Sequence, residues 1–365
     1  MTLRLALVGG PMYDGLYSLV GDDVEVVIHA DHPTLNRRAA ELLAAGERID
    51  VLSTHAKYAP SQARWLRPLD DLVPARTVDA LQARAVELCR FEGALLSVPR
   101  NIDVRVLWWR TDRMAAPPST WSDVVDSGIS FGFPGRESGL FGTFFELVVG
   151  AGGALFDGSR PTILGQQSVA AVELLCRLAS TAPPDLPGWH YDEVDAALLE
   201  GRVDAAAAWP GSYGAIAACP VAGVLRPAPY PAGPARWVSY AGCHSWAIPR
   251  TCGDLDGAVE LICRLVSEEA AIHDAEGGSI PAHAAVLDRL ITRGDAASRR
   301  SEVDAERLAV TRRTITEAMI VYPSLARFPA VEDAGWQALN RAITGRIGPA
   351  EAVRQMQAAA EAALE

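Results

Sequence analysis

Three short constellations in this chain hold side chains able to do covalent or metal chemistry. Gly128-Ile129-Ser130-Phe131-Gly132 has the spacing of a serine nucleophile motif. Such a serine must sit on a tight turn between a strand and a helix. Here it opens the apolar run Ser130 to Phe133, ahead of Pro134-Gly135, and reads as a strand start. His29-Ala30-Asp31-His32 could donate to a metal, but no third and fourth ligand accompanies it at the spacing a tetrahedral site needs. A polar loop at a strand exit is the expectation, and no metal is assigned. Cys243-His244 sets a thiol beside an imidazole, and a thiol attacks only with a lowered pKa and a partner base. Successive side chains of a strand point to opposite faces, so His244 faces away from Cys243. No catalytic residue and no cofactor are expected.

A second kind of equipment is better represented. Flat aromatic faces beside planar polar groups suit a ligand with C–H surfaces and hydroxyls, held without covalent chemistry in a concave site. The rings at loops and strand ends are Tyr13, Tyr58, Trp209, Tyr213, Tyr240, His244 and Tyr322; the polar groups beside them are Asp14, His55, Lys57, Asn101, Asp103, Arg136, Glu137 and Ser279. For each ring, core packing competes with ligand contact, because aromatic side chains contribute most of their energy by burial. Trp65, Trp121, Trp189 and Trp336 are assigned to packing. Trp209 carries the clearest argument. It follows the small-residue run Val203 to Ala208 and precedes Pro210-Gly211, so a large ring is expected at a strand end, where α/β sheets bind ligands.

The elements that must position these residues alternate. Leu3 to Val8, Val24 to Ile28 and Ile49 to Ser53 read as strands, and Leu35 to Ala45 as a helix by the spacing of Leu35, Ala39, Leu42 and Leu43. A glycine-framed loop, Gly9 to Gly15, follows the first strand. This order predicts a mostly parallel, doubly wound sheet. From Glu92 to Asp112 two apolar runs, Ala94 to Val98 and Val104 to Trp109, are split by Pro99-Arg100-Asn101, which marks a crossing between lobes. Later helices are expected over Val169 to Leu178 and around Ala258, Leu261, Ile262 and Leu265.

At 365 residues the chain exceeds the size at which one core keeps growing, so two lobes are expected. A net charge of -12 without a clustered basic face argues against nucleic acid and favours a neutral or cationic small molecule. Six cysteines are too few for a disulfide scaffold. Cys89, Cys176 and Cys263 read as buried thiols, while pairing among Cys219, Cys243 and Cys252 is open. No apolar run is long enough for a membrane span. The start, MTLRLALVGG, is too short and too alternating for a secretory leader, so a leader has been removed or the protein stays inside the cell.

Several segments, in order along the chain, resemble the sugar-binding solute-binding proteins of ABC importers, the group that includes maltose- and trehalose-binding proteins. Trp65-Leu66-Arg67-Pro68-Leu69-Asp70-Asp71-Leu72 is similar to the family's L-x-P-L-D-D-L, and Glu92 to Pro99 with Trp108 to Asp112 to its crossover segment. Pro117 to Val124, Gly150 to Asp157, Leu198 to Ala206, Tyr240 to Ile248, Glu276 to Pro281 and Gly345 to Ala352 are similar to further family motifs. The resemblance implies an α/β, two-lobed, periplasmic-binding-protein-like fold (type II) with discontinuous lobes joined by a hinge. The expected lobes are 1-104 with 246-292 and 110-242 with 300-365, with hinge strands near 100-110, 240-248 and 292-300. It implies reversible capture of a carbohydrate by hinge closure in an interlobe cleft, permease subunits as partners, a monomer, and an extracytoplasmic location. Ligand contacts are implied at the loop after the first strand, the loop after Asp50, the crossover, Gly135 to Gly139, Trp209, the Gly242 strand and the Gly277-Gly278 turn. His244 stands where the family often has tryptophan, and Val321-Tyr322-Pro323 where an arginine-proline pair is common. A thiol-dependent enzyme on the same scaffold, like thiaminase, and an intracellular binder are the alternatives.

Overall fold

A computed structural model describes residues 2–10, 13–292 and 302–364. Pro11 and Met12 of the glycine-framed loop, and most of the third expected hinge near 292-300, lie outside the described residues. The chain divides into two compact units. The first comprises Met1–Asp103, Gly242–Asp295 and Ser324–Ala326; the second Val104–Ala241, Ala296–Pro323 and Arg327–Glu365. Each is therefore assembled from separated stretches of sequence, and Ser324–Ala326 groups with the first unit although it falls in the stretch expected in the second.

The first unit is built on a five-stranded sheet in the order Val24–Ala30, Leu3–Val8, Val51–His55, His244–Ala247, Val98–Pro99. The first three strands are parallel, but His244–Ala247 runs antiparallel to both of its neighbours. The parallel expectation thus holds only for the N-terminal half of the sheet, because a strand arriving from far along the chain needs no crossover helix and can enter in either direction. The third strand begins two residues later than its apolar pattern suggests and continues through Thr54 to His55. The helix His32–Ala44 buries Leu35, Ala39 and Leu43 against this sheet. Its start corrects the polar-loop reading of His29 to His32. Asp31 is the N-cap, its Oδ1 accepting from the Thr34 N–H at 2.9 Å, and Pro33 occupies the first turn, where no amide hydrogen is needed.

The second unit holds a four-stranded sheet in the order Leu225–Ala228, Val106–Arg110, Ala205–Ala208, Phe131–Gly132. Val106–Arg110 is antiparallel to both neighbours, and Phe131–Gly132 parallel to Ala205–Ala208. Ser130 precedes its strand and donates its amide hydrogen to Asp204 Oδ2 at 2.9 Å, a strand entry and no nucleophile elbow. The helix Glu137–Gly150 is buried from Gly139 to its end and carries the core of this unit. The helices Gln166–Thr181 and Phe328–Ile343 pack with it, and Pro349–Leu364 packs with both of these. No helix among the described residues is long and apolar enough to cross a membrane.

Candidate functional site

In the first unit, sheet register brings the candidate residues together. His244 pairs directly with His55 across the antiparallel ladder, and the helix start places His32 beside both. The three imidazoles lie with ring centroids 4.8 Å (His32 to His244), 5.0 Å (His55 to His244) and 5.9 Å (His32 to His55) apart. Tyr13 joins edge-on at 4.8 Å from His244, and its hydroxyl lies 3.2 Å from His244 Nε2. His244 Nδ1 is in turn 2.9 Å from His32 Nε2. Tyr58 lies 6.1 Å from His32 and 6.2 Å from His55, with the Lys57 ammonium 4.8 Å over its ring. Asn101 fixes the strand beneath this group. Its Oδ1 accepts from the His244 N–H at 2.8 Å, and its Nδ2 donates to Asp103 Oδ2 at 2.7 Å.

All three histidines have a pKa lowered from the ordinary imidazole value. Burial pushes His32 down to about 3, and the Lys57 charge adds to that. Burial, Lys57 and His32 press His55 well below its ordinary value. His244 is lowered likewise, by burial first and then by His32, His55, Arg100 and Lys57. Local geometry agrees for His55. Its Nδ1 meets the Lys57 N–H at 3.1 Å and its Nε2 the Cys243 N–H at 3.2 Å. A neutral ring can accept one of these bonds and a protonated ring neither. The wall therefore presents neutral donors and acceptors. His32 Nδ1 and Ser279 Oγ are buried and have no hydrogen-bond partner among the described residues.

Asp14 stands apart from this wall. Its carboxylate accepts from the Gly10 N–H at 3.2 Å and pairs with His29 at 2.8 Å, so it braces the glycine loop that carries Tyr13.

In the second unit, the strand Ala205–Ala208 ends at Trp209, which is half-buried and precedes a turn through Pro210–Ser212. Its ring meets Tyr240 edge-on at 5.3 Å and Tyr191 at 5.7 Å. Tyr240 and Tyr191 share a hydroxyl contact of 2.5 Å, and Tyr322 lies 5.2 Å from Tyr240, stacked on Phe145 at 4.7 Å. Beneath Tyr240 lies an ion pair between Arg105 and Glu146, both wholly buried. Glu146 Oε1 accepts from the Tyr240 N–H at 2.9 Å, and the Arg105 guanidinium lies 5.0 Å over the Tyr240 ring. Burial pushes the Glu146 carboxyl upward against the pull of Arg105. Gly142 leaves room for the ring, since a Cβ there would stand 2.5 Å from Tyr240 Cε1.

Arg136 and Glu137 pair with each other at the start of the helix Glu137–Gly150. His190 Nε2 lies 3.9 Å from Glu137, and its ring 4.3 Å from that of Tyr191, which puts this pair at the margin of the aromatic group. Tyr213 does not join that group. Its half-buried ring stacks on the buried Trp108 at 6.3 Å with Arg307 4.8 Å above it. Gly242 is buried at the end of Ser239–Gly242 and offers only backbone.

Sequence reasoning passes over Tyr191 and weighs His32 only as a metal donor in a polar loop. Both are the first residue of a helix, preceded by a polar capping position, a signal that fixes the helix but says nothing of where the ring points.

The Cys243 thiol is not equipped for attack. It is buried, its Sγ lies 3.7 Å from that of Cys89, and this contact, with burial, raises its pKa well above the ordinary thiol value.

Two units, each with its own sheet and built from discontinuous segments, define the class of two-lobed α/β binding proteins. Residues 21–297 match the model of the bacterial extracellular solute-binding protein family, and the chain belongs to that family. A probable ABC transporter-binding protein of Deinococcus radiodurans is 26% identical over 219 residues, which cover 53% of this chain and 52% of that protein. The chain thus spans about half the length of the curated relative it matches. Maltose-bound MalE3 of T. maritima superimposes with a TM-score of 0.87 at 21% identity, covering 98% of both chains. The GacH receptor of Streptomyces glaucescens gives 0.85 at 17%, over 99% and 98%. A solute-binding protein of Thermotoga lettingae bound with α-D-tagatose gives 0.86 at 19%, over 100% and 99%. At these identities the likeness establishes the fold.

Proposed function

We propose that this protein is the binding component of an ABC importer and captures a carbohydrate reversibly, with contacts from both units. The observation that carries this reading is the pair of ring-and-polar walls: Tyr13, His32, His55, Tyr58 and His244 in the first unit, Tyr191, Trp209, Tyr240 and Tyr322 in the second. Aromatic faces cover the C–H surface of a sugar, and neutral imidazoles and hydroxyls pair with its hydroxyl groups at little desolvation cost. A ligand that favours a closed state must touch both units, since equal binding to two states shifts nothing. The lobe limits and hinge closure drawn from the sequence belong to this proposal, as do a monomeric state, an extracytoplasmic location and the permease as partner. The names of the structural relatives, bound to maltose, acarbose or tagatose, support the ligand class.

A second reading, a thiol enzyme on this scaffold, is disfavoured by the burial and raised pKa of Cys243. The test is a thermal-shift screen against a carbohydrate library, followed by calorimetry on the hits. A saturable rise in melting temperature with mono- to oligosaccharides is expected. A response confined to amino acids, peptides or inorganic ions would overturn the proposal.

A further inference from the structure

Cys89 and Cys243 meet inside the first unit, although 154 positions separate them in sequence. Cys89 caps the end of the helix Ala83–Leu88, and Cys243 lies between the strands Ser239–Gly242 and His244–Ala247. Their sulfurs are 3.7 Å apart, the residues are 2% and 1% exposed, and both thiols are free. A disulfide bond is ~2.05 Å long, so closing the pair needs an approach of about 1.6 Å. Both residues sit just outside regular elements, one after a helix and one between strands.

We propose that Cys89 and Cys243 form a disulfide when the chain folds in an oxidising compartment, tying the 1–103 and 242–295 stretches of the first unit together. The family is extracellular, a setting in which disulfides form and persist. Neither stretch completes the sheet alone: Val51–His55 comes from one and His244–Ala247 from the other. A cross-link between them restricts the unfolded chain over a long loop, where the entropic effect is largest. It also anchors the residue next to His244. Buried thiols react poorly, so the bond forms during folding, before the sulfurs are enclosed.

The reaction is thiol-disulfide exchange with a low-molecular-weight disulfide such as oxidised glutathione. One cysteine thiolate attacks that disulfide and releases one reduced glutathione. The second cysteine thiolate then displaces the other glutathione, so two electrons leave the cysteines and their two protons end on the released thiols.

The experiment refolds the full chain from the reduced, unfolded state in a mixture of reduced and oxidised glutathione. Free thiols are then alkylated in denaturant and the protein is digested without reduction. Of the six cysteines, four should be alkylated, and the peptides containing Cys89 and Cys243 should appear as one species lighter by two hydrogens. Adding reductant should lower the melting temperature of the wild type and leave that of Cys89→Ser unchanged; Cys89→Ala serves if the serine variant does not fold. Six alkylated cysteines, glutathione retained on either residue, or Cys243 bonded to a different cysteine would each overturn the proposal, whatever the variants do.

Discussion

Replacing Trp209 by alanine separates a ligand-stacking ring from a core ring. Trp209 is half-buried and touches Tyr191 and Tyr240 edge-on, at 5.7 and 5.3 Å. Each such pair contributes about 0.5 to 1.5 kcal/mol beyond burial itself, so these two contacts alone make Trp209→Ala cost roughly 1 to 3 kcal/mol of stability. Trp108, wholly buried on the strand Val106–Arg110 that pairs with Ala205–Ala208, supplies the comparison: Trp108→Ala should cost ~3 to 5 kcal/mol. For binding the order reverses. Loss of a stacking face should weaken the carbohydrate complex by about 1 to 3 kcal/mol, roughly 5- to 150-fold in Kd. Denaturant unfolding and calorimetric titration of both variants measure the two effects. A Trp209→Ala protein that binds like the wild type, or that loses as much stability as Trp108→Ala, refutes the assignment.

Gly142→Ala should weaken binding although Gly142 offers a ligand nothing, because the added Cβ would meet the Tyr240 ring at 2.5 Å and push it aside; an unchanged Kd would show that Tyr240 is not placed by this helix. Glu146→Ala leaves Arg105 buried without its partner and should cost about 3 to 5 kcal/mol in denaturant unfolding, with a smaller loss sinking the view that the pair supports Tyr240. The histidine trio should stay neutral from pH 8 to 5, so the ring-proton NMR signals of His32, His55 and His244 should not move in that range. Their folded pKa values lie below the unfolded one, so the unfolded chain binds more protons under acid. Their contribution is then complete above about pH 6.5 and is lost as pH falls through the lowered folded values, for His32 toward about 3, and ring signals titrating near 6.5 would contradict it. Asp195 acts oppositely. Burial raises its pKa to about 7, against the hydrogen bond from Ser212 Oγ, so its folded form holds a proton that the unfolded form releases. Asp195→Asn should remove a loss of stability that develops as pH rises from about 4 to 7.

Several of these residues were legible in the chain, and the reasons differ. Trp209 could be placed because small residues before it and proline-glycine after it leave a strand end as the only station, a local pattern. His244 is among the rings that the sequence offers to a ligand, but its partnership with His55 depends on the register between strands far apart in sequence, which no local pattern encodes. Direction failed for the same reason: the antiparallel entry of His244–Ala247 is a property of the whole unit. Tyr213 is among the rings at loops and strand ends, yet its contacts with Trp108 and Arg307, from two other segments, draw it away from Trp209 and Tyr240. His32 and Tyr191 show the converse, since capping chemistry reveals the helix start and hides the ring's destination.

The central claim, that one carbohydrate is held by side chains of both units, is tested by calorimetric titration of a sugar from the screen into the wild type, His244→Ala and Trp209→Ala. The account predicts one site per chain in the wild type and a roughly tenfold or greater loss of affinity in each variant, as for other removed ligand-contacting rings. Full affinity in either variant, or no sugar that binds the wild type, would contradict it.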